Sequence, residues 1–177
     1  MSLPALDADD FQLFGLPARQ AQDRAEIDRR WKELQTAAHP DRHAAAGAAA
    51  QRVAMQWAVR INEAHRRLKD PLQRAALLCE LAGAPIEAER NTAMPADFLM
   101  QQMAWREALD EAGDALPAIE ALDAELQAEQ RRRLAAVEAL LDGQPRDAAG
   151  AAREVRALMF IKRFAADVQA RLDALGQ

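Results

Sequence analysis

Apolar residues recur along this chain at intervals of three and four, a spacing that predicts helices and no strands. Ile27, Trp31, Leu34 and Ala38 fall on one helical face. Asp23 stands ahead of them as a predicted N-cap, with Glu26 three residues on as its capping-box partner. Pro40 ends this helix, because the residue before a proline is pushed out of the helical region. A further helix runs from about Ala48 to Lys69, with Trp57, Ile61, Ala64 and Leu68 as its buried stripe. Two such helices pack most simply as an antiparallel hairpin, with His39–Asp41 at its exposed tip. Ala44–Ala50 reads as a flexible loop passing into helix, and "ADDFQLFGLP" as a short helix stopped by Gly15 and Pro17.

Beyond Pro71 a short apolar helix, "LQRAALLCEL", reaches toward Gly83, and "GAPIEAERNTAMPAD" reads as a connector. Three more helices follow, over about Pro95–Ala112, from near Pro117 to Leu141, and over about Arg146–Leu175. Joined by short turns, they make a three-helix bundle. The last carries Leu158, Ile161, Phe164, Ala165, Val168, Leu172 and Leu175 as its stripe, with Phe160 on the flank. The expectation is an all-α chain: a helical hairpin domain over residues 1–76, a short helix and connector over 77–94, and a bundle over 95–177.

Composition agrees with helix. Half of the 177 residues are apolar and 29% are charged, which is globular; Tyr is absent, and Gly and Pro are few. No apolar run approaches the ~20 residues of a membrane span. Met1–Asp10 is acidic and lacks the apolar region of a signal peptide. One cysteine excludes an internal disulfide framework and fits a reducing cytoplasm; Cys79, in "ALLCEL", reads as a small buried apolar residue. The net charge of −5 is uneven: residues 1–76 carry twelve Lys and Arg against ten Asp and Glu, and residues 77–177 carry eleven against eighteen. This implies two regions facing different partners, without the concentrated basic stripe of a nucleic-acid binder.

Two stretches carry candidate chemistry. In "QTAAHPDRHAAAG", His39, Asp41 and His43 alternate, so an extended loop would aim all three one way. Three such ligands plus water suit catalytic zinc, which makes a metal-dependent hydrolase the enzyme alternative; a solvated turn is the plain one. In "DFLMQQMAWREALDEAG", Phe98, Trp105, Leu109 and Ala112 cluster on one side, and Leu99, Met100, Met103, Glu107 and Glu111 on roughly the other. A bundle helix needs one apolar stripe. The second is surplus, and marks either an interaction surface or a face covered by the rest of the chain.

The tripeptide His39-Pro40-Asp41 between two antiparallel helices, followed by "INEAHRRLKDPLQRA", resembles a J-domain. Ile61, Asn62, Ala64, Leu68, Pro71, Arg74 and Ala75 match that family's pattern, over about Phe11 to Leu77. Ala38 departs from it, since a tyrosine commonly precedes the tripeptide. The resemblance implies docking on a seventy-kilodalton heat-shock chaperone and stimulation of its ATPase. His39, Pro40 and Asp41 would carry this, with Arg29, Lys32 and Arg42 as a basic face; an ordinary solvated face remains the alternative for those three.

The whole chain, including "FLMQQMAWREALDE" and "VRALMFIKRF", is similar to the HscB family of J-type co-chaperones of iron–sulfur cluster assembly. This implies a non-enzymatic protein without a cofactor, of bacterial cytoplasmic type. Its bundle would bind the scaffold protein IscU and present it to the chaperone HscA. The implied scaffold-binding positions are Leu99, Met100, Met103, Glu107, Glu111 and Phe160; Ala104 stands where the family is usually acidic. A J-protein with a different client is the alternative.

Overall fold

The computed structural model describes residues 3–176, which divide between Leu78 and Cys79 into two compact units. The elements are α1 (Asp10–Phe14), α2 (Arg24–Ala38), a 3-10 helix (Pro40–Ala46), α3 (Ala48–Lys69), α4 (Pro71–Leu81), α5 (Phe98–Ala112), α6 (Leu116–Asp142) and α7 (Ala148–Leu175). Among the described residues there is no strand, and no helix is long and apolar enough to cross a membrane.

In the first unit α2 and α3 pack together and α1 lies against both. Ile27, Leu34 and Ala38 are buried on α2, and Ile61, Ala64 and Leu68 on α3, as their spacing predicts. Trp31 departs from the expected stripe and is only half-buried. Its ring stacks on His65 with centroids 4.1 Å apart, and its Nε1 donates to Asn62 Oδ1 at 2.9 Å. The indole N–H needs an acceptor, so this side of the seam is polar and aromatic rather than aliphatic. His65 Nε2 in turn lies 2.8 Å from Asp28 Oδ1.

The capping box forms at α1 rather than at α2. Asp9 accepts from the Gln12 N–H while the Gln12 side chain accepts from the Asp9 N–H. Gly15 closes this helix in the left-handed region, at φ 63°, where a side chain would be strained. At α2 Asp23 does cap, accepting from Ala25, but Glu26 turns forward to the guanidinium groups of Arg29 and Arg30. Two charged donors outcompete one backbone N–H.

Asp10 on α1 is 2% exposed and lies between Arg60 at 2.8 Å and Arg67 at 2.7 Å, both on α3. Burial alone would raise its carboxyl pKa, but the hydrogen bonds and charges of Arg67 and Arg60 outweigh it and hold the group below its usual value.

In the second unit α5, α6 and α7 form the three-helix bundle, with Phe98, Trp105, Ile119, Leu126, Ile161 and Val168 in its core. Buried Arg133 bonds Glu154 and Gln101 and stands 4.7 Å over the Phe98 ring. Helix α5 starts at Phe98 rather than Pro95, because Phe98 N–H is spent in a turn on Pro95 O. Helix α7 starts after Asp147, which caps Gly150 N–H so closely that a Cβ there would sit 2.4 Å from Asp147 Oδ2. Leu175, expected in the stripe, is exposed. It lies a turn beyond Arg171, which donates to Leu109 O on α5.

The connector is pinned rather than loose. Buried Arg156 on α7 donates to Ile86 O at 2.9 Å, Ala93 O at 3.0 Å and Pro85 O at 3.3 Å.

Candidate functional site

The hairpin tip is built by the end of α2. His39 is extended, at φ −59° and ψ 128°, as a residue before proline must be. Pro40 then opens the 3-10 helix, whose first turn His39 caps by accepting the Asp41 N–H on Nδ1 at 3.2 Å. Arg42 donates to Thr36 O at 3.2 Å, and His43 Nε2 lies 3.3 Å from Ala37 O. Both basic side chains thus turn back onto the unpaired carbonyls at the C-terminal end of α2, where cations are favoured. The side chains of His39 and Asp41 point outward, 59% and 92% exposed.

This geometry overturns two expectations. Ala44–Ala50 is not a flexible loop: the 3-10 helix runs to Ala46, Gly47 turns the chain at φ 97°, and α3 begins at once. The hydrolase reading required His39, Asp41 and His43 on an extended loop. With three residues per turn, alternate residues diverge instead, and His43 is committed to α2. Among the described residues no group of three His, Cys, Asp or Glu side chains is placed to hold a metal.

Beside the tip, an open groove of about 850 Å³ is lined by Lys32, Gln35, Thr36, His39, Pro40, Arg42 and Ala58. Lys32 and Arg42 therefore border one depression with His39. Arg29 does not line it; its guanidinium is held by Glu26 and Glu33, Glu26 above all raising its pKa. Gln35 and Thr36 were not singled out from the sequence, although helical spacing from Lys32 puts them on its face. Ala58 comes from α3 and had no local signal. Behind the tip Ala38 helps floor a second hollow, of about 370 Å³, with Val53, Ala54 and Trp57.

The second candidate surface lies on α5. Leu99, Met100 and Met103 are 64%, 72% and 59% exposed, while Phe98 and Trp105 fill the core behind them. Glu107 and Glu111 continue along the exposed side, and Ala104 is exposed too. Phe160 on α7 is half-buried, edge-on to Phe98 at 5.7 Å and stacked on Phe164 at 6.1 Å. The Arg106 guanidinium stands 5.5 Å over its ring, a cation–π contact that the helical wheel did not reveal. Phe160 is therefore attached to the α5 face through Phe98 and Arg106. Cys79 is fully buried, and burial pushes its thiol up to about 11.

Residues 94–169 match the model of the HSCB C-terminal oligomerisation domain family. The co-chaperone protein HscB homolog of Burkholderia multivorans is 52% identical over 167 residues, covering 93% of this chain and 94% of its own. This chain belongs to the HscB family of co-chaperones. The HscB homolog of Cupriavidus taiwanensis is 50% identical over 172 residues, 96% of this chain and 97% of that one. The chaperone HscB from Vibrio cholerae superposes with a TM-score of 0.79 at 33% identity, over 95% of this chain and 99% of that one. The human co-chaperone protein HscB shares the fold, with a TM-score of 0.85 at 21% identity over 96% and 85% of the two chains. The architecture is that of HscB proteins, an N-terminal J-domain and a C-terminal three-helix bundle, and the chain is a co-chaperone, not an enzyme.

Proposed function

We propose that this HscB-family protein couples an iron–sulfur scaffold to a specialised heat-shock chaperone during cluster assembly. The J-domain, over residues 1–76, docks on an HscA-type chaperone through His39, Pro40 and Asp41, with Lys32 and Arg42 beside the same groove and Arg29 a turn earlier on α2. Pro40 fixes the shape of the tip, and the exposed Asp41 carboxylate is available to a cation on the chaperone. Residues 77–94 connect it to the bundle, residues 95–177. There Leu99, Met100, Met103 and Phe160 receive an IscU-type scaffold, with Glu107 and Glu111 supplying charge at the rim. One chain holding both partners makes the second encounter effectively intramolecular. ATP hydrolysis stimulated by the J-domain then traps the scaffold on the chaperone. This work belongs to the bacterial cytoplasm, without nucleic acid or membrane, a reading that the bacterial relatives and the single cysteine support.

The observation that carries the reading is the exposure of three large apolar side chains on α5, although the opposite face of that helix already fills the core. Calorimetric titration with the iron–sulfur scaffold, without chaperone, tests it. Saturable one-to-one binding is expected. Truncating Leu99, Met100 and Phe160 to Ala should each cost about 1–2 kcal/mol if they are anchors. Unchanged affinity in the triple variant would move the interface elsewhere. The description of the matched family, an oligomerisation domain, favours a second reading in which the stripe meets another copy of the chain. Sedimentation of the protein alone separates the two, since only self-association depends on its own concentration.

A further inference from the structure

Burial separates the two kinds of sulfur in this chain. Cys79 is fully buried and its thiol is pushed up to about 11, so it is held as the unreactive thiol rather than the thiolate that attacks peroxide. A thioether needs no deprotonation, and its oxidation is governed by access. Met94 and Met159 are half-buried, and the Met94 sulfur accepts a hydrogen bond from Gln102 Nε2 at 3.4 Å. Met100 and Met103 are the opposite case. They are largely exposed, and three residues apart on α5 they stand one turn from each other on the surplus face beside Leu99. Among the described residues the other exposed methionine is Met55, on α3 in the first unit.

We propose that Met100 and Met103 form a reversible oxidation site that weakens client docking on α5. The proposal rests on the reading of that stripe as the docking surface. A sulfur lone pair attacks one oxygen of hydrogen peroxide, the O–O bond breaks, and a sulfoxide forms. The departing hydroxide takes up the proton released and leaves as water, so sulfur is oxidised by two electrons and peroxide reduced by two. A thiol-dependent methionine sulfoxide reductase reverses the step: two thiols become a disulfide and the sulfoxide oxygen leaves as water. The sulfoxide replaces an adaptable apolar contact with a strong acceptor, which must shed its water on docking and finds no donor in an apolar interface. Leu99 and Phe160 carry no oxidisable sulfur, so docking is weakened rather than abolished.

The test uses the full chain carrying Met55→Leu, which removes the exposed methionine that lies outside the stripe among the described residues. It is treated with graded hydrogen peroxide, mapped by peptide mass spectrometry, and titrated calorimetrically with the iron–sulfur scaffold. Oxygen is expected on Met100 and Met103 ahead of Met94 and Met159. The scaffold affinity is expected to fall about tenfold or more, and to return after treatment with the reductase. A chain carrying Met100→Leu and Met103→Leu, whatever its starting affinity, is expected to lose none of it at the same dose. Oxidation of Met94 or Met159 first, undiminished binding with both stripe methionines oxidised, or an equal loss in the double leucine variant would each overturn the switch. Failure of the untreated chain to bind would overturn the docking reading, and the switch with it.

Discussion

Asp10 is the clearest case of one side chain whose charge state is set by tertiary neighbours. Its carboxylate satisfies two arginines of α3 from a position with almost no contact with water. Because the folded pKa is depressed, its contribution is fully present above the ordinary carboxylate value of about 3.9 and is lost as pH falls through that value toward the lower folded one. Asp10→Asn keeps the shape but removes the charge. It is expected to cost about 2 kcal/mol at neutral pH, measured by urea unfolding, with the gap to wild type narrowing below pH ~4. A constant gap across that range would assign the loss to packing. Nothing local announces this pair. In "ADDFQLF" the residue reads as part of a helix start, and its partners lie fifty and fifty-seven residues away. Glu26 shows the converse: its pKa is drawn to about 2 by hydrogen bonds from Arg29 and Arg30, within a turn of its own helix.

Among the elements, the connector differs most from its sequence signature. "GAPIEAERNTAMPAD" has the composition of a linker, yet Arg156 gathers three of its carbonyls. Arg156→Met retains bulk but leaves those acceptors without a donor. We expect a loss of about 2 kcal/mol and faster hydrogen exchange through residues 85–93, with protection in the α6–α7 core retained. Unchanged exchange would mean that packing of Ile86, not the guanidinium, holds the segment. The hairpin tip differs in a subtler way. Local rules placed the break at Pro40, but not the 3-10 helix that follows, because its stability depends on Arg42 and His43 reaching back to α2. That backward reach removes the alternation on which a metal site would have depended.

For the whole molecule, the proposed coupling predicts separable losses. The triple variant of Leu99, Met100 and Phe160 should lose scaffold affinity yet still stimulate the chaperone ATPase in the absence of scaffold. His39→Gln should abolish stimulation while binding scaffold normally. Loss of both activities in either single-site class, with both proteins folded, would break the assignment of one partner to each unit.

Much of this architecture was legible because its signals are local. The three-and-four spacing marked the helices, prolines and glycines marked most of their limits, and the surplus stripe on α5 could be counted off a helical wheel. The sequence by itself thus determined the helical content, the tripeptide at the hairpin tip, and which α5 residues had no place in a core. Only the tertiary structure decided that Phe160 joins the α5 face through Phe98 and Arg106, that Lys32 and Arg42 share a groove with His39 while Arg29 does not, and that Asp10 and Arg156 are buried charges with full sets of partners. The reason is range. Helical periodicity acts over a few residues, whereas ring contacts, buried ion pairs and grooves join residues tens of positions apart, and their geometry exists only once the helices have packed.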